Sequence, residues 1–255
     1  MPITADTYYF AHQTDQPDLL PIVLIHGAGG SHLYWPAQIR RLKSGRVYAL
    51  DLPGHGKSKG RGQQTISAYA DHILGWMDAV GLSKALFVGH SMGGAVALNL
   101  GLHHPQRVYG LGLLSTGARL RVSPEILPLI SQRRTFPTAV EMIVSWAFGA
   151  GADPRLVELA SQRMMETRPT VLSADFAACN AFDQVAALSQ IDLPTLVLCG
   201  QDDRLTPTHL SQFLADQIPT AKLEIFPDAG HMLMLEKPDP VASALSEFAS
   251  SIPIS

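Results

Sequence analysis

Six short apolar runs recur along the chain, at residues 22–25, 47–50, 85–88, 110–114, 195–199 and 222–226, bounded by Gly, Pro or Asp. Apolar runs of this length predict strands buried on both faces of a parallel sheet. Between them apolar positions return at helical spacing, as at 66–80 and 95–103, and another helix fits 238–250. Strand and helix in alternation imply right-handed crossovers, hence an α/β fold with a doubly wound, mostly parallel sheet. Ahead of the first run, residues 8–13 read as an antiparallel edge strand, polar enough to face water on one side.

The rhythm breaks at 118–189, far longer than the few residues that ordinarily join two elements. A connection of that length is expected to carry its own structure. Helices are predicted at 139–148, 155–167 and 173–188, punctuated by Pro128, Pro137, Gly149, Gly151, Pro154 and Pro169. The first is apolar on more than one side, with Met142, Ile143, Val144, Trp146 and Phe148, so it needs burial on two sides. The expected organisation is a core of residues 1–117 and 190–255, with 118–189 as a helical cap over the carboxyl edge of the sheet.

Composition narrows the function classes. Of 255 residues, 46% are hydrophobic and 16% charged, a core-forming balance. Lys plus Arg number 19 against 22 Asp plus Glu, a formal net charge of −3 without a run of like charges. A nucleic-acid partner, which needs a basic stripe, is not expected. Residues 1–13 lack the basic and apolar regions of a secretory signal, and no apolar stretch reaches the length of a membrane span, so a cytoplasmic protein without a membrane partner is expected. Cys179 and Cys199 have no zinc-type spacing and read as reduced, buried small hydrophobes, with no metal implied.

Gly89-His90-Ser91-Met92-Gly93 fits G-x-S-x-G, and it lies between a predicted strand and a predicted helix. A sharp strand-to-helix turn would push the serine out at the top of the sheet in a tense conformation, with glycines on either side to avoid a clash. Three further segments accompany it: His26-Gly27-Ala28-Gly29, Asp51 to Ser58 (DLPGHGKS) and the pair of stretches Pro194 to Pro207 and Gly230-His231. With these four motifs in this order the chain resembles the α/β-hydrolases over nearly its whole length, in the compact bacterial branch with a helical cap between the sixth and seventh strands. Rival motifs fail: the P-loop ending of Gly56-Lys57-Ser58 would need glycine at Asp51, and a dinucleotide fingerprint starting at Gly27 would need glycine at His32, so no cofactor is expected.

A serine hydroxyl needs a base to take its proton, and this fold orders them Ser, acid, His. Of ten histidines only His231 falls in a Gly-flanked loop after the last strand; His12, His32, His72 and His209 read as peripheral or surface residues. The acid is a choice between adjacent Asp202 and Asp203, with Asp228 as a third. In relatives carrying Gly-x-Asp-Asp-x-x-x-Pro the second Asp serves, which here is Asp203. The resemblance also assigns the oxyanion donors to the backbone N–H groups of Ala28 and Met92.

The resemblance thus implies a serine esterase acting through an acyl-enzyme on a small-molecule ester, more active as His231 loses its proton. Enol-lactonase or C–C hydrolase, perhydrolase, and a slow signalling receptor are the alternatives. Candidate pocket residues are Leu33, Met142, Ile143, Trp146, Phe148, Met164, Phe176, Phe182, Met232 and Leu233, which suggest an apolar acyl or alcohol group; Arg133 and Arg134 read first as solvated cap surface, with a substrate carboxylate as the alternative. Monomer and dimer both stay open.

Overall fold

In the strand Leu20–Ile25, Ile22 and Leu24 enter one apolar cluster and Val23 and Ile25 another, so the run needs no polar alternation. The computed structural model describes residues 3–13 and 15–254. Its strands are β1 (Ile3–Thr4), β2 (Thr7–His12), β3 (Leu20–Ile25), β4 (Gly45–Leu50), β5 (Ala85–His90), β6 (Val108–Leu114), β7 (Thr195–Gly200) and β8 (Ala221–Phe226). They form one sheet in the order β1-β2-β4-β3-β5-β6-β7-β8, parallel except at β1/β2 and β2/β4. The fold is α/β, with one doubly covered, mostly parallel sheet.

The helices are α1 (Ala37–Arg40), α2 (Ile66–Ala79), α3 (Met92–His103), α4 (Ile126–Ile130), α5 (Phe136–Ala147), α6 (Pro154–Met165), α7 (Pro169–Ala181), α8 (Thr208–Gln217), α9 (Leu233–Glu236) and α10 (Pro238–Ser251). Ile39 of α1 and Val241 and Leu245 of α10 join the cluster on one face; α2, α3 and Leu214 of α8 join the other. The Thr65 hydroxyl accepts from Ala68 N–H to start α2. Gly81, at φ +73°, ends it, letting Leu82 N–H reach back to Met77 C=O at 2.9 Å.

The predicted runs at 22–25, 47–50, 85–88, 110–114 and 195–199 all lie inside buried strands. Two strands differ from expectation. β2 is antiparallel, but β1 pairs outside it at Ile3↔Tyr8 and Thr4↔Thr7, so β2 is not the outermost strand. The 222–226 run forms the opposite edge and is not buried on both faces: Lys222 and Glu224 are exposed, and Ile225 is 45% exposed.

Between β6 and β7 stand four helices and a 3-10 segment, Val185–Gln190. Pro137, Pro154 and Pro169 sit in the first turns of α5, α6 and α7, where a missing N–H costs nothing, so they start helices instead of interrupting them. The helix expected at 173–188 is broken: Phe182 turns extended and buries its ring, and Asp183 pairs with Arg119 at 2.5 Å while accepting from Val185 N–H. α7 contributes Leu172 to one apolar cluster and Ala178 and Cys179 to the other, whereas α5, expected to need burial on two sides, sends its buried residues into the first cluster alone.

Candidate active site

Parallel register aligns the carboxyl ends of the central strands. Ile25 of β3 lies opposite Gly89 of β5, His90 opposite Leu114 of β6, and Gly200 of β7 opposite Phe226 of β8. Ala28, Ser91, Asp203 and His231 each follow one of those ends within five residues, so one edge of the sheet gathers groups scattered over the chain.

Ser91 stands at φ 54° and ψ −117°, strained for a residue with a Cβ. Its N–H donates to Leu114 C=O at 2.9 Å and its C=O accepts from the Thr116 hydroxyl at 2.8 Å, so the continuation of β6 holds the turn. A methyl group at Gly93 would meet the Ile25 carbonyl oxygen at 2.2 Å, which makes glycine obligatory there.

Beside it the loop after β8 presents His231, 5% exposed. Its Nδ1 lies 3.0 and 3.1 Å from the two carboxylate oxygens of Asp203, so Nδ1 carries the proton and Nε2 is left for Ser91. Asp203 also accepts from Leu205 N–H, Thr206 N–H and the Thr206 hydroxyl at 2.8–2.9 Å. Burial works against its charge, but His231 and these donors outweigh it and hold the carboxyl below its ordinary range. Asp202 and Asp228 are exposed, and neither hydrogen-bonds His231. Ser91 and His231 line the same cavity; no hydrogen bond joins Ser91 Oγ to Nε2 among the described residues, a contact of the kind that commonly tightens only around substrate.

His26 shapes the loop after β3. Its Nε2 accepts from Leu52 N–H at 3.0 Å, which leaves the proton on Nδ1 to donate to Gly27 C=O at 2.7 Å. Gly30 N–H donates to the same oxygen at 3.1 Å. Because the peptide is planar and trans, tying down the Gly27 oxygen leaves the Ala28 N–H on the opposite side. Gly27 and Ala28 line the cavity with Ser91, and among the described residues neither Ala28 N–H nor Met92 N–H has a protein acceptor.

The cavity holds about 580 Å³. Of the residues named from sequence, Ile143, Trp146, Met164, Phe176 and Met232 line it; Leu33, Met142, Phe148, Phe182 and Leu233 do not. Leu33 borders a separate polar cavity, Phe148 and Leu233 are sealed in one apolar cluster, Phe182 is sealed in the other, and Met142 is half-buried on α5. Arg133 and Arg134 are exposed and outside the lining, whereas Arg119, Arg121 and Arg204 belong to it.

Several residues take parts not read from sequence. His32 is not peripheral but buried, donating from Nδ1 to Asp51 at 2.8 Å, and His209 lines the cavity. His72 Nε2 lies 2.7 Å from the Thr7 hydroxyl. Glu236 accepts from Gly149 N–H and Gly230 N–H, both at 2.9 Å, clamping the end of α5 to the His231 loop. Asp175 of α7, fully buried, accepts from Gly29 N–H at 2.9 Å, His55 Nε2 at 2.8 Å and the Tyr69 hydroxyl. Cys179 and Cys199 are free and buried. Among the described residues no cluster of three His, Cys, Asp or Glu is arranged to hold a metal, and no helix is long and apolar enough to cross a membrane.

Residues 22–244 match a model described as the alpha/beta hydrolase family. A Caulobacter sp. (strain K31) protein named as a carbamate hydrolase is 30% identical, the match covering 95% of each chain. A thermophilic esterase from Thermogutta terrifontis superposes with a TM-score of 0.85 at 30% identity, covering 95% of this chain and 92% of that one. The enol-lactonase from Burkholderia xenovorans LB400 superposes at 0.89 with 25% identity, covering 96% of each.

Proposed function

The chain belongs to the alpha/beta hydrolase family, and from that premise we propose that it is a serine hydrolase cleaving carboxylic esters of small to medium apolar substrates. One observation carries the reading: Asp203 hydrogen-bonds His231 Nδ1, and His231 shares with Ser91 the wall of a largely apolar cavity. Nε2 of His231 takes the proton from Ser91 Oγ as that oxygen attacks the ester carbonyl, then returns it to the departing alkoxide. Asp203 keeps the proton-bearing Nδ1 turned toward itself and stabilises the imidazolium. The oxyanion gathers the N–H groups of Ala28 and Met92, a kind of donor whose loss costs about 3 kcal/mol of barrier. Water, activated by the same nitrogen, releases the acid and regenerates the serine.

A second reading, a lactone or an acidic ring-fission substrate, draws on Arg119, Arg121 and Arg204 in the lining. Arg119 and Arg121 already face Asp183, at 2.5 and 3.9 Å, which favours the neutral ester. The deciding experiment profiles hydrolysis of p-nitrophenyl esters of increasing acyl length, a lactone and a dienoate by wild type and Ser91→Ala. Repeated turnover of the esters, lost in Ser91→Ala, supports the proposal. A single burst without turnover, or full activity in Ser91→Ala, overturns it.

A further inference from the structure

The turn that follows β3 is gripped from above by the helices inserted between β6 and β7. Gly29 N–H donates to Asp175 Oδ2 of α7 at 2.9 Å, and Gly29 C=O accepts from the hydroxyl of Thr167, between α6 and α7, at 2.9 Å. Both polar groups of this one residue are therefore bound by partners about 140 positions away in sequence. Gly29 is at φ +64°, and a methyl group on it would meet Leu172 Cδ1 at 2.9 Å, so α7 also closes over the turn sterically.

Asp175 is itself held on all sides. His55 Nδ1 faces the Pro53 carbonyl at 3.1 Å while Nε2 faces Asp175 at 2.8 Å, so both ring nitrogens meet acceptors and the ring is an imidazolium. Tyr69 accepts from Gln63 N–H at 2.9 Å and gives its own proton to Asp175 Oδ1. Every neighbour donates, and the carboxylate is ionised with none of its surface exposed. A buried ion pair is weak as a source of stability, since apolar residues of the same volume commonly do as well. What it supplies here is a fixed point one peptide removed from the Ala28 N–H.

We propose that Asp175, with Thr167, is a positioning residue for the oxyanion donor: His26 and Gly30 hold the donor peptide at its Gly27 oxygen, and Asp175, by fixing the Ala28–Gly29 peptide from the inserted helices, supplies the second hold that keeps the Ala28 N–H on line. The inference rests on the serine hydrolase reading given above. Only the φ and ψ of Ala28 separate the gripped Ala28–Gly29 peptide from the Gly27–Ala28 peptide that carries the donor. Releasing the grip leaves Ser91, His231 and Asp203 in place and the donor peptide held through its Gly27 oxygen alone, free to swing about that point, and a misplacement of about 1 Å is enough to cost on the order of a hundredfold in rate.

The test compares Asp175→Asn and Thr167→Val with wild type and Ser91→Ala on p-nitrophenyl butyrate. A boronic acid serves as analogue of the tetrahedral intermediate and butyrate as ground-state ligand. Asn keeps the shape of Asp175 but offers one acceptor where three donors converge; Val removes only the Thr167 hydroxyl. Expected are a kcat about tenfold or more lower in Asp175→Asn and a smaller fall in Thr167→Val, with KM and butyrate affinity within about twofold and the boronic acid weakened in step with kcat. Lost stability alone would not move that ratio of affinities. If both variants keep wild-type kcat and boronic acid affinity while Ser91→Ala is inactive, the proposal is overturned and the serine reading stands. If Ser91→Ala keeps its activity, the serine reading falls instead. Should Asp175→Asn not fold, Thr167→Val decides alone, and wild-type values there overturn the proposal.

Discussion

His90 donates from Nε2 to the carbonyl oxygen of His231 at 2.9 Å, and the two rings lie 4.7 Å apart. The residue just before the nucleophile thus holds the backbone of the candidate base. Replacing His90 with Phe leaves the buried carbonyl without its donor, which costs about 1–3 kcal/mol, and frees the His231 loop. The urea midpoint and kcat should both fall, with KM nearly unchanged. A variant with wild-type kcat would show that the contact serves folding alone.

Asp202 and Asp203 are neighbours with opposite surroundings. Asp203→Asn removes the acceptor that holds the His231 tautomer and should lower kcat on the order of 10³–10⁴-fold. Asp202, exposed, donates its N–H to the Ala229 carbonyl at 2.8 Å, a bond that Asn retains. Asp202→Asn should stay within about twofold of wild type. Steady-state kinetics of the pair decide, and equal losses would remove Asp203 from its role.

Ile143 of α5 lines the cavity, so Ile143→Phe fills part of its 580 Å³. Each methylene in an apolar pocket is worth about 1–3 kcal/mol of discrimination. Octanoyl esters should lose kcat/KM by about tenfold or more while acetyl esters hold steady. A uniform fall across chain lengths would place the acyl chain elsewhere.

Burial, aided by a neighbouring histidine in each case, pushes His26 down to about 4 and His90 down to about 3 from 6.5. Between pH 6.5 and those values the unfolded chain binds protons that the folded chain refuses. Their contribution is therefore present above pH 6.5 and lost as pH falls, each on the order of 3 kcal/mol or more once its window is crossed. His55 has the opposite sign: burial alone would lower it, but Asp175 raises it, so its contribution is present below 6.5 and fades as pH rises through its folded value. Urea midpoints should be greatest near neutrality and fall steeply by pH 4.5. A flat profile from 6.5 to 4.5 would show that the buried histidines do not limit acid stability.

Local signals carried the candidate centre. The elbow around Ser91 is written in five adjacent residues, and Asp203 and His231 lie in short loops beyond apolar runs. Asp175 carries no such mark: it sits within helix α7 among alanines, and its meaning comes from Gly29, His55 and Tyr69, which chain order does not bring near. The pocket was half legible for a related reason. Ile143 and Phe148 share an apolar stretch, but α5 ends at Ala147, and the extended Phe148 turns into the core. Likewise β2 read as an edge because its two-residue neighbour β1 is too short to announce itself by pattern.

The grip of Asp175 on Gly29 bears on how such a protein can be recombined. The inserted helices are contiguous in sequence and invite exchange as a cassette with those of another family member. Yet their deepest charge is matched by His55 and Tyr69 in the core, which a cassette would leave behind. A chimera lacking an acceptor at position 175 strands a buried imidazolium and an untethered Gly29. One that keeps Asp175 on a core without His55 strands the carboxylate instead. Positions 29, 55, 69 and 175 therefore have to travel together, and the functional seam between the two parts runs through this quartet instead of along the chain boundaries of the insertion.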